Sequence, residues 1–399
     1  MSGERSFAAR WVFPVSGPPV PNSVLVVRDD LIVGVEPRGA RTPDEDLGNV
    51  ALVPGFVNAH THLDLSGARG LIPPTAPHHF TDWLRGVIAY RRTRTPEQTQ
   101  ADIRTGLAEC LKFGTTLIGD ITAEGASWDA LVAAEVRSVV FHEMIGLSEE
   151  RARASWQAAH AWRTTRPAST TCVPAYSPHA PYSARGSFFA SGTRNDIFCS
   201  HLAESPHEQE LLERRTGPFV EFLTTLGVWE PTAFTWFSRL LIRSRLVGNY
   251  LFVHANYLPL EHCRYIAGLH SVVYCPRTHA AFGHAPHPFR EFLARNVRVC
   301  LGTDSLASNP DLDILAEARF VRERYPDFPG DALLRMITLS GAEALGWADE
   351  CGSLCAGKSA DAVAVPLPNA DAADPHELLF APHAGARRTL FRGAWRTLS

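Results

Sequence analysis
The sequence predicts an α/β fold: a (β/α)8 TIM barrel with a small β unit assembled from both chain ends. Three observations lead there. Helix-like and strand-like stretches alternate through the middle of the chain, eight strand-like runs fall in that region, and the two ends carry strand and turn patterns with no helical period. Alternating strands and helices pair their strands in parallel, and eight such units close into a barrel. The 399 residues suit this division, since a barrel takes about 250 and the remainder makes a smaller unit.

At the N-terminal end, Ser23-Val24-Leu25-Val26-Val27, the polar turn Arg28-Asp29-Asp30 and Leu31-Ile32-Val33-Gly34-Val35 predict a hairpin. The apolar run Ala51-Leu52-Val53 then meets Pro54-Gly55, and a second short run, Phe56-Val57, leads to His60-Thr61-His62. This is barrel strand one. Successive side chains of a strand point to opposite faces, so His60 and His62 share a face and can grip one ion. Imidazole is the commonest protein ligand for zinc and similar metals. Strands two to eight are expected over residues 115–121, 138–145, 170–176, 197–201, 250–254, 271–275 and 297–302, with helices between them, for example over 96–113 and 129–136.

The longest connection, residues 204–249, holds Trp229, Phe234, Trp236 and Phe237. An enlarged loop after a barrel strand sits over the active-site face, so its residues 205–249 form either a lid or a packing element. Past the barrel, 361–365 and 388–391 read as further strands. Residues 1–53 and 352–399 together make the β unit, and 54–351 make the barrel.

Composition excludes several function classes. Hydrophobic content of 45% with 20% charged residues is that of a globular protein with a large core. A net charge of −4 offers no attraction to nucleic acid. No apolar run approaches the roughly 18 residues of a membrane span, and the N-terminus lacks the apolar region of a signal peptide, so the expected compartment is the cytoplasm. Cys172, Cys199, Cys275 and Cys300 sit in apolar strand-like runs, where cysteine behaves as a small buried hydrophobe. No paired C-x-x-C elements mark a zinc knuckle.

Reading the strand ends together gives the functional signal. His60 and His62 end strand one, His201 ends strand five, His254 ends strand six and Asp304 follows strand eight. Barrel enzymes build their sites from residues at the carboxyl ends of several strands. Three imidazoles and one carboxylate suit a divalent ion, zinc or ferrous iron. Such an ion lowers the pKa of a bound water toward about 7. Asp304 can then accept a proton, His254 can help hold the attacking group, and Glu204, where the chain turns after strand five, can carry a proton to the substrate.

PGFVNAHTHLD, HLAE, VHAN, GTDSLASN and GSLCAGKSADAVAV, in that order along nearly the whole chain, resemble the amidohydrolase superfamily, most closely its deaminase and chlorohydrolase branch. The resemblance implies a barrel with a small β-sandwich formed from both chain ends. It implies His60, His62, His201 and Asp304 as ligands of one metal ion, zinc or else iron, with Glu204 and His254 as the acid/base pair. Two-metal members use a carboxylated lysine at the end of strand four; the only lysines here, Lys112 and Lys358, lie far from it in sequence, so one ion is expected. Tyr176-Ser177-Pro178-His179-Ala180-Pro181-Tyr182 is similar to the strand-four motif of adenine-nucleoside deaminases, whose histidine contacts substrate, and Asp82-Trp83-Leu84 to their aromatic helix start, where Trp83 would stack on a purine.

Three departures bear on the substrate. Arg92 stands where the resemblance expects a sugar-binding glutamate, Phe141 to Gly146 lack the arginine expected after strand three, and Cys275-Pro276-Arg277-Thr278-His279 replaces the expected strand-seven motif. Arg92 and Arg277 would suit a substrate carboxylate. The implied activity is hydrolytic deamination of an adenine-type nucleoside: aminodeoxyfutalosine, adenosine, methylthioadenosine or S-adenosylhomocysteine. A guanine-type deaminase, a triazine chlorohydrolase and a metal-free scaffold protein stay open as alternatives. The expected partner is a small molecule, with no nucleic acid or membrane, and a homo-oligomer is compatible with the sequence.

Overall fold
The computed structural model describes residues 3–234, 246, 248–383 and 385–397. Its centre is an eight-stranded parallel sheet in chain order: Phe56–Thr61, Thr115–Thr122, Arg137–Met144, Cys172–Pro178, Ile197–Leu202, Asn249–His254, Ser271–Tyr274 and Arg298–Leu301. Every expected barrel strand is present, displaced by a residue or two at its ends. Strand six shows why these runs read as nearly continuous apolar stretches. Tyr250 and Phe252 pack into one core cluster while Leu251 and Val253 pack into another, as a parallel strand buried on both faces requires. Cys172, Cys199, Cys275 and Cys300 are all buried.

The segment after strand eight returns to strand one. Asp304 N donates to His60 O at 3.0 Å, Thr303 N donates to Asn58 Oδ1 at 3.0 Å and Asn58 Nδ2 donates to Thr303 Oγ1 at 2.8 Å. Gly302 makes this approach possible: a Cβ there would lie 2.8 Å from the Cβ of His60 and 2.9 Å from Val273 Cγ1. The seam therefore holds the first and last strands, and with them His60 and Asp304, against each other.

Of the two helices singled out in the sequence, Pro96–Lys112 forms nearly as expected, started by a capping box between Thr95 and Gln98. The other shrinks to Trp128–Val132. Both chain ends build a second, mixed eight-stranded sheet. Its hairpin pairs Val20–Arg28 antiparallel with Leu31–Pro37. The ends meet where Val50–Pro54 pairs antiparallel with Ala362–Pro366. Gly55 joins the two sheets at a point where any Cβ would collide with Thr116. Among the described residues, no helix is long and apolar enough to cross a membrane.

Candidate active site
The ends of strands one, five, six and eight converge on a buried cluster. The ligand atoms of His60, His62 and His201 lie within 4.8 Å of one another, and so do those of His60, His254 and Asp304. The backbone turns sharply to aim these side chains: Ala203 (φ 49), His254 (φ 70), Ala255 (φ 53) and Asp304 (φ 61) are all left-handed. Non-glycine residues held there cost on the order of 1–3 kcal/mol each, a strain that collects at functional sites.

The donor set fits a divalent cation. His62 Nε2 and His201 Nε2 stand 3.2 Å apart, and His60 Nε2 lies 3.4 Å from Asp304 Oδ1. Two donors on a tetrahedral zinc, each at about 2.0–2.1 Å, are separated by roughly 3.3 Å. Both ring nitrogens of His60 are buried without a hydrogen-bond partner among the described residues, an arrangement that costs free energy unless something binds there. Burial, and after it the neighbouring His60, pushes the His62 imidazolium down to about 3. Burial and the adjacent histidines also hold His201 well below the ordinary range, so both rings are neutral, the ligating form. His201 Nδ1 donates to His179 O at 2.9 Å, leaving Nε2 its lone pair, as an outer partner does for a metal-binding histidine. Burial alone would raise the Asp304 carboxyl, but His60, His254 and His62 hold it below its usual value, and it accepts from Ser305 N at 2.7 Å and Ser308 Oγ at 3.1 Å.

Glu204 adjoins this cluster with Oε1 3.3 Å from His254 Nε2. Burial, then repulsion from Asp304 and Glu208, raises its pKa well above the ordinary carboxyl value. That shift favours the protonated form of Glu204 relative to an ordinary carboxyl. Glu208 supports its backbone, accepting from Ala203 N at 2.9 Å and Glu204 N at 3.2 Å, while Asn256 Nδ2 donates to Glu204 O at 3.0 Å. The Ser205-x-x-Glu208 spacing, a capping-box pattern, is the signal that would have found Glu208 in the sequence.

Two cavities lie above the cluster. The inner one, about 50 Å³, is bordered by His62, Glu204, Asp304, Trp83, Glu143 and Arg91. The outer one, about 280 Å³, has a mostly apolar wall that includes Leu84, Ile88, Phe222 and Trp229. Leu84, Val87, Arg91, His179 and Tyr182 border both. Phe222 and Trp229 come from the long connection, whose residues 205–234 thus form part of the outer wall and pack Phe219 against Tyr182 at 4.6 Å. Trp236 and Phe237 lie outside the described residues.

His179 and Trp83 fall where the sequence places them, at the cavity, with Trp83 also packed on Phe80 and Phe282. The two arginines assigned to a substrate carboxylate do not. Arg277 donates to Glu317 at 2.6 Å and to Asp311 at 2.7 and 3.0 Å. The fully buried Glu317 needs that cation, so the guanidinium is spent on the protein itself. Arg92 is exposed on helix Phe80–Thr93, beyond both cavities. Its neighbour Arg91 takes the inward place, because Leu84, Val87 and Arg91 follow the i, i+3, i+7 spacing of one helix face. Arg91 pairs with Glu143 at 2.7 Å and Asp64 at 3.2 Å, a group the sequence reading missed. Helical phase would have found Arg91; no local pattern marks Glu143. The lysines stay remote from strand four: Lys112 ends its helix and Lys358 Nζ donates to Cys351 O at 3.2 Å.

A nearly closed parallel barrel with imidazoles and carboxylates gathered at its strand ends defines a barrel enzyme of the metal-site type. A model of the amidohydrolase family matches residues 51–381. The chain belongs to that family, and is accordingly a hydrolytic enzyme acting on carbon–nitrogen bonds. The 5-methylthioadenosine/S-adenosylhomocysteine deaminase of Moorella thermoacetica is 28% identical over 382 residues, spanning 89% of this chain and 84% of that protein. The aminodeoxyfutalosine deaminase of Nitratiruptor sp. is 26% identical over 346 residues, spanning 83% and 82%. In structure, Helicobacter pylori aminofutalosine deaminase in complex with methylthio-coformycin superposes with a TM-score of 0.85 at 21% identity, covering 98% of this chain and 100% of that one. That likeness speaks for the fold.

Proposed function
We propose that this enzyme hydrolytically deaminates an adenine-type nucleoside of the adenosine, methylthioadenosine, S-adenosylhomocysteine and aminodeoxyfutalosine class. The observation that carries the reading is Glu204, a buried carboxyl with its pKa raised above the ordinary value, 3.3 Å from His254 and bordering the small cavity above the cluster, which shares a wall with the larger apolar one. Relatives with the names given above, aligned over more than four-fifths of the chain, support the substrate class.

His60, His62, His201 and Asp304 would hold one divalent ion, zinc by its preference for such a set, with ferrous iron the other ion it accepts. When bound, that ion supplies activation of water at neutral pH. The chain's own groups do the rest. Glu204 donates its proton to the ring nitrogen beside the amine-bearing carbon, making that carbon open to attack by water. Asp304 accepts a proton from the attacking water and passes it to the departing amine, which leaves as ammonia. The water's second proton passes from the new oxygen to Glu204, so that the ring keeps the proton on its nitrogen, the oxygen becomes a carbonyl and both carboxyl groups return to their starting states. His254 Nε2 hydrogen-bonds at the reacting carbon's new oxygen. Trp83 and Leu84 wall the ring, and the outer apolar cavity takes the substituent at the far end of the sugar.

The test is ammonia release by purified, metal-loaded enzyme from adenosine, 5′-methylthioadenosine, S-adenosylhomocysteine and aminodeoxyfutalosine, with guanine and a chlorotriazine alongside. Efficient turnover of at least one adenine nucleoside is expected. Turnover confined to guanine, or chloride release from the triazine alone, would overturn the proposal.

A further inference from the structure
Glu143 stands near the end of strand three with its side chain in the inner cavity, only 4% exposed. Its Oε2 accepts from Arg91 Nη1 at 2.7 Å. Its Oε1 is buried and has no hydrogen-bond partner among the described residues; His179 Nε2 lies at 3.8 Å, beyond hydrogen-bond reach. A buried carboxylate oxygen left without a donor is costly, and Arg91, fastened between Glu143 and Asp64, keeps it from turning away. The oxygen is an acceptor, so whatever satisfies it must bring an O–H or N–H.

An adenine nucleoside has few of these. Its amine must lie over the metal-type cluster, where it leaves, and the ring nitrogens are acceptors. The remaining donors are the sugar hydroxyls. We propose that Glu143 Oε1 accepts a hydrogen bond from a hydroxyl of the bound sugar, which makes Glu143 the residue that selects ribonucleosides over their deoxy counterparts. Arg91 is the positioning residue that holds it. The inference rests on the nucleoside reading and assigns to Glu143 a role that neither the family match nor the chain's motifs give it.

The experiment compares kcat/KM for adenosine and 5′-methylthioadenosine with their 2′-deoxy and 3′-deoxy forms, in the unmutated enzyme and in Glu143→Gln and Glu143→Ala. Loss of one hydrogen bond to a charged acceptor is expected to lower kcat/KM roughly 10- to 100-fold for at least one deoxy form. That ratio should shrink in Glu143→Gln and approach one in Glu143→Ala. A merely structural role would slow all substrates together and leave the ratio unchanged, which overturns the proposal. The unmutated enzyme alone also decides it, should the alanine variant not fold: equal efficiency on ribo and deoxy forms sinks the role of Glu143 while the nucleoside reading stands. No turnover of any of these nucleosides sinks both.

Discussion

At the scale of single residues, the site works by setting carboxyls of one chemical type to opposite tasks. Glu204 and Asp304 are both buried, yet burial and neighbouring carboxylates push the Glu204 pKa up, while the imidazoles around Asp304 outweigh its burial and hold its pKa down. Two titratable groups pushed apart by their surroundings mark an acid and a base. Glu204→Gln keeps the shape and the ability to hydrogen-bond a ring nitrogen but removes the transferable proton. Its kcat should fall on the order of 100- to 10,000-fold, with metal content unchanged by elemental analysis. Near-normal turnover would remove Glu204 from the chemistry. The residues of this pair were legible in the sequence because both follow strand ends within short motifs. Their pKa shifts were not, since these depend on burial and on the meeting of Glu204, Asp304 and His60 from three different strand ends, which only the fold brings about.

At the scale of elements, helix Phe80–Thr93 shows how one residue of phase decides a role. Arg91 and Arg92 are adjacent in sequence, but Arg91 shares a face with Leu84 and Val87 and reaches Glu143 and Asp64 at the cavity, whereas Arg92 points to solvent. Arg91→Met should lower kcat/KM roughly 10- to 100-fold, because each hydrogen bond to a charged group is worth about 1.5–3 kcal/mol. Arg92→Met should change stability by no more than about 0.5 kcal/mol, as surface substitutions do, and leave activity as it is. Steady-state kinetics on the two variants in parallel checks this. The reverse ranking would restore Arg92 as the substrate contact. The strand ends carry a similar lesson. His254 and Asp304 reach inward from left-handed backbone, a conformation that their residue types do not announce.

At the scale of the whole molecule, the sheet made from the chain ends is bound to the barrel through buried charge. Arg387 donates to both oxygens of Asp313, at 2.6 and 2.7 Å, and Asp313 also caps helix Ile314–Arg324 by accepting from Leu315 N at 3.0 Å. Arg137 of strand three pairs with Asp361 beside the end sheet. Arg387→Met would leave Asp313 buried without its cation, which costs about 3–5 kcal/mol. A clear drop in the urea midpoint is expected, and an unchanged midpoint would show the pair to be energetically idle. The histidine and carboxylate cluster belongs to the same scale, because it draws on four strands. Elemental analysis should find about one zinc or iron per chain. Stripping it with a chelator should lower the melting temperature, since a ligand that binds only the folded state stabilises it. A content near two, or near zero after supplementation, would contradict a single site.

The alternation of helix and strand, the eight apolar runs and the five motifs were enough, by the sequence alone, to name the barrel, the β unit from both ends and the cluster of His60, His62, His201, His254, Glu204 and Asp304. These are written locally: a strand's burial appears in its own composition, and a barrel always presents its strand ends on one face. What lies around the cluster was decided by tertiary structure. Arg277 turned to Glu317, forty positions along the chain, and Glu143 and Asp64 closed on Arg91 from separate elements. A charged side chain goes to the partner that relieves its burial, and which partner stands within reach is a property of the folded chain.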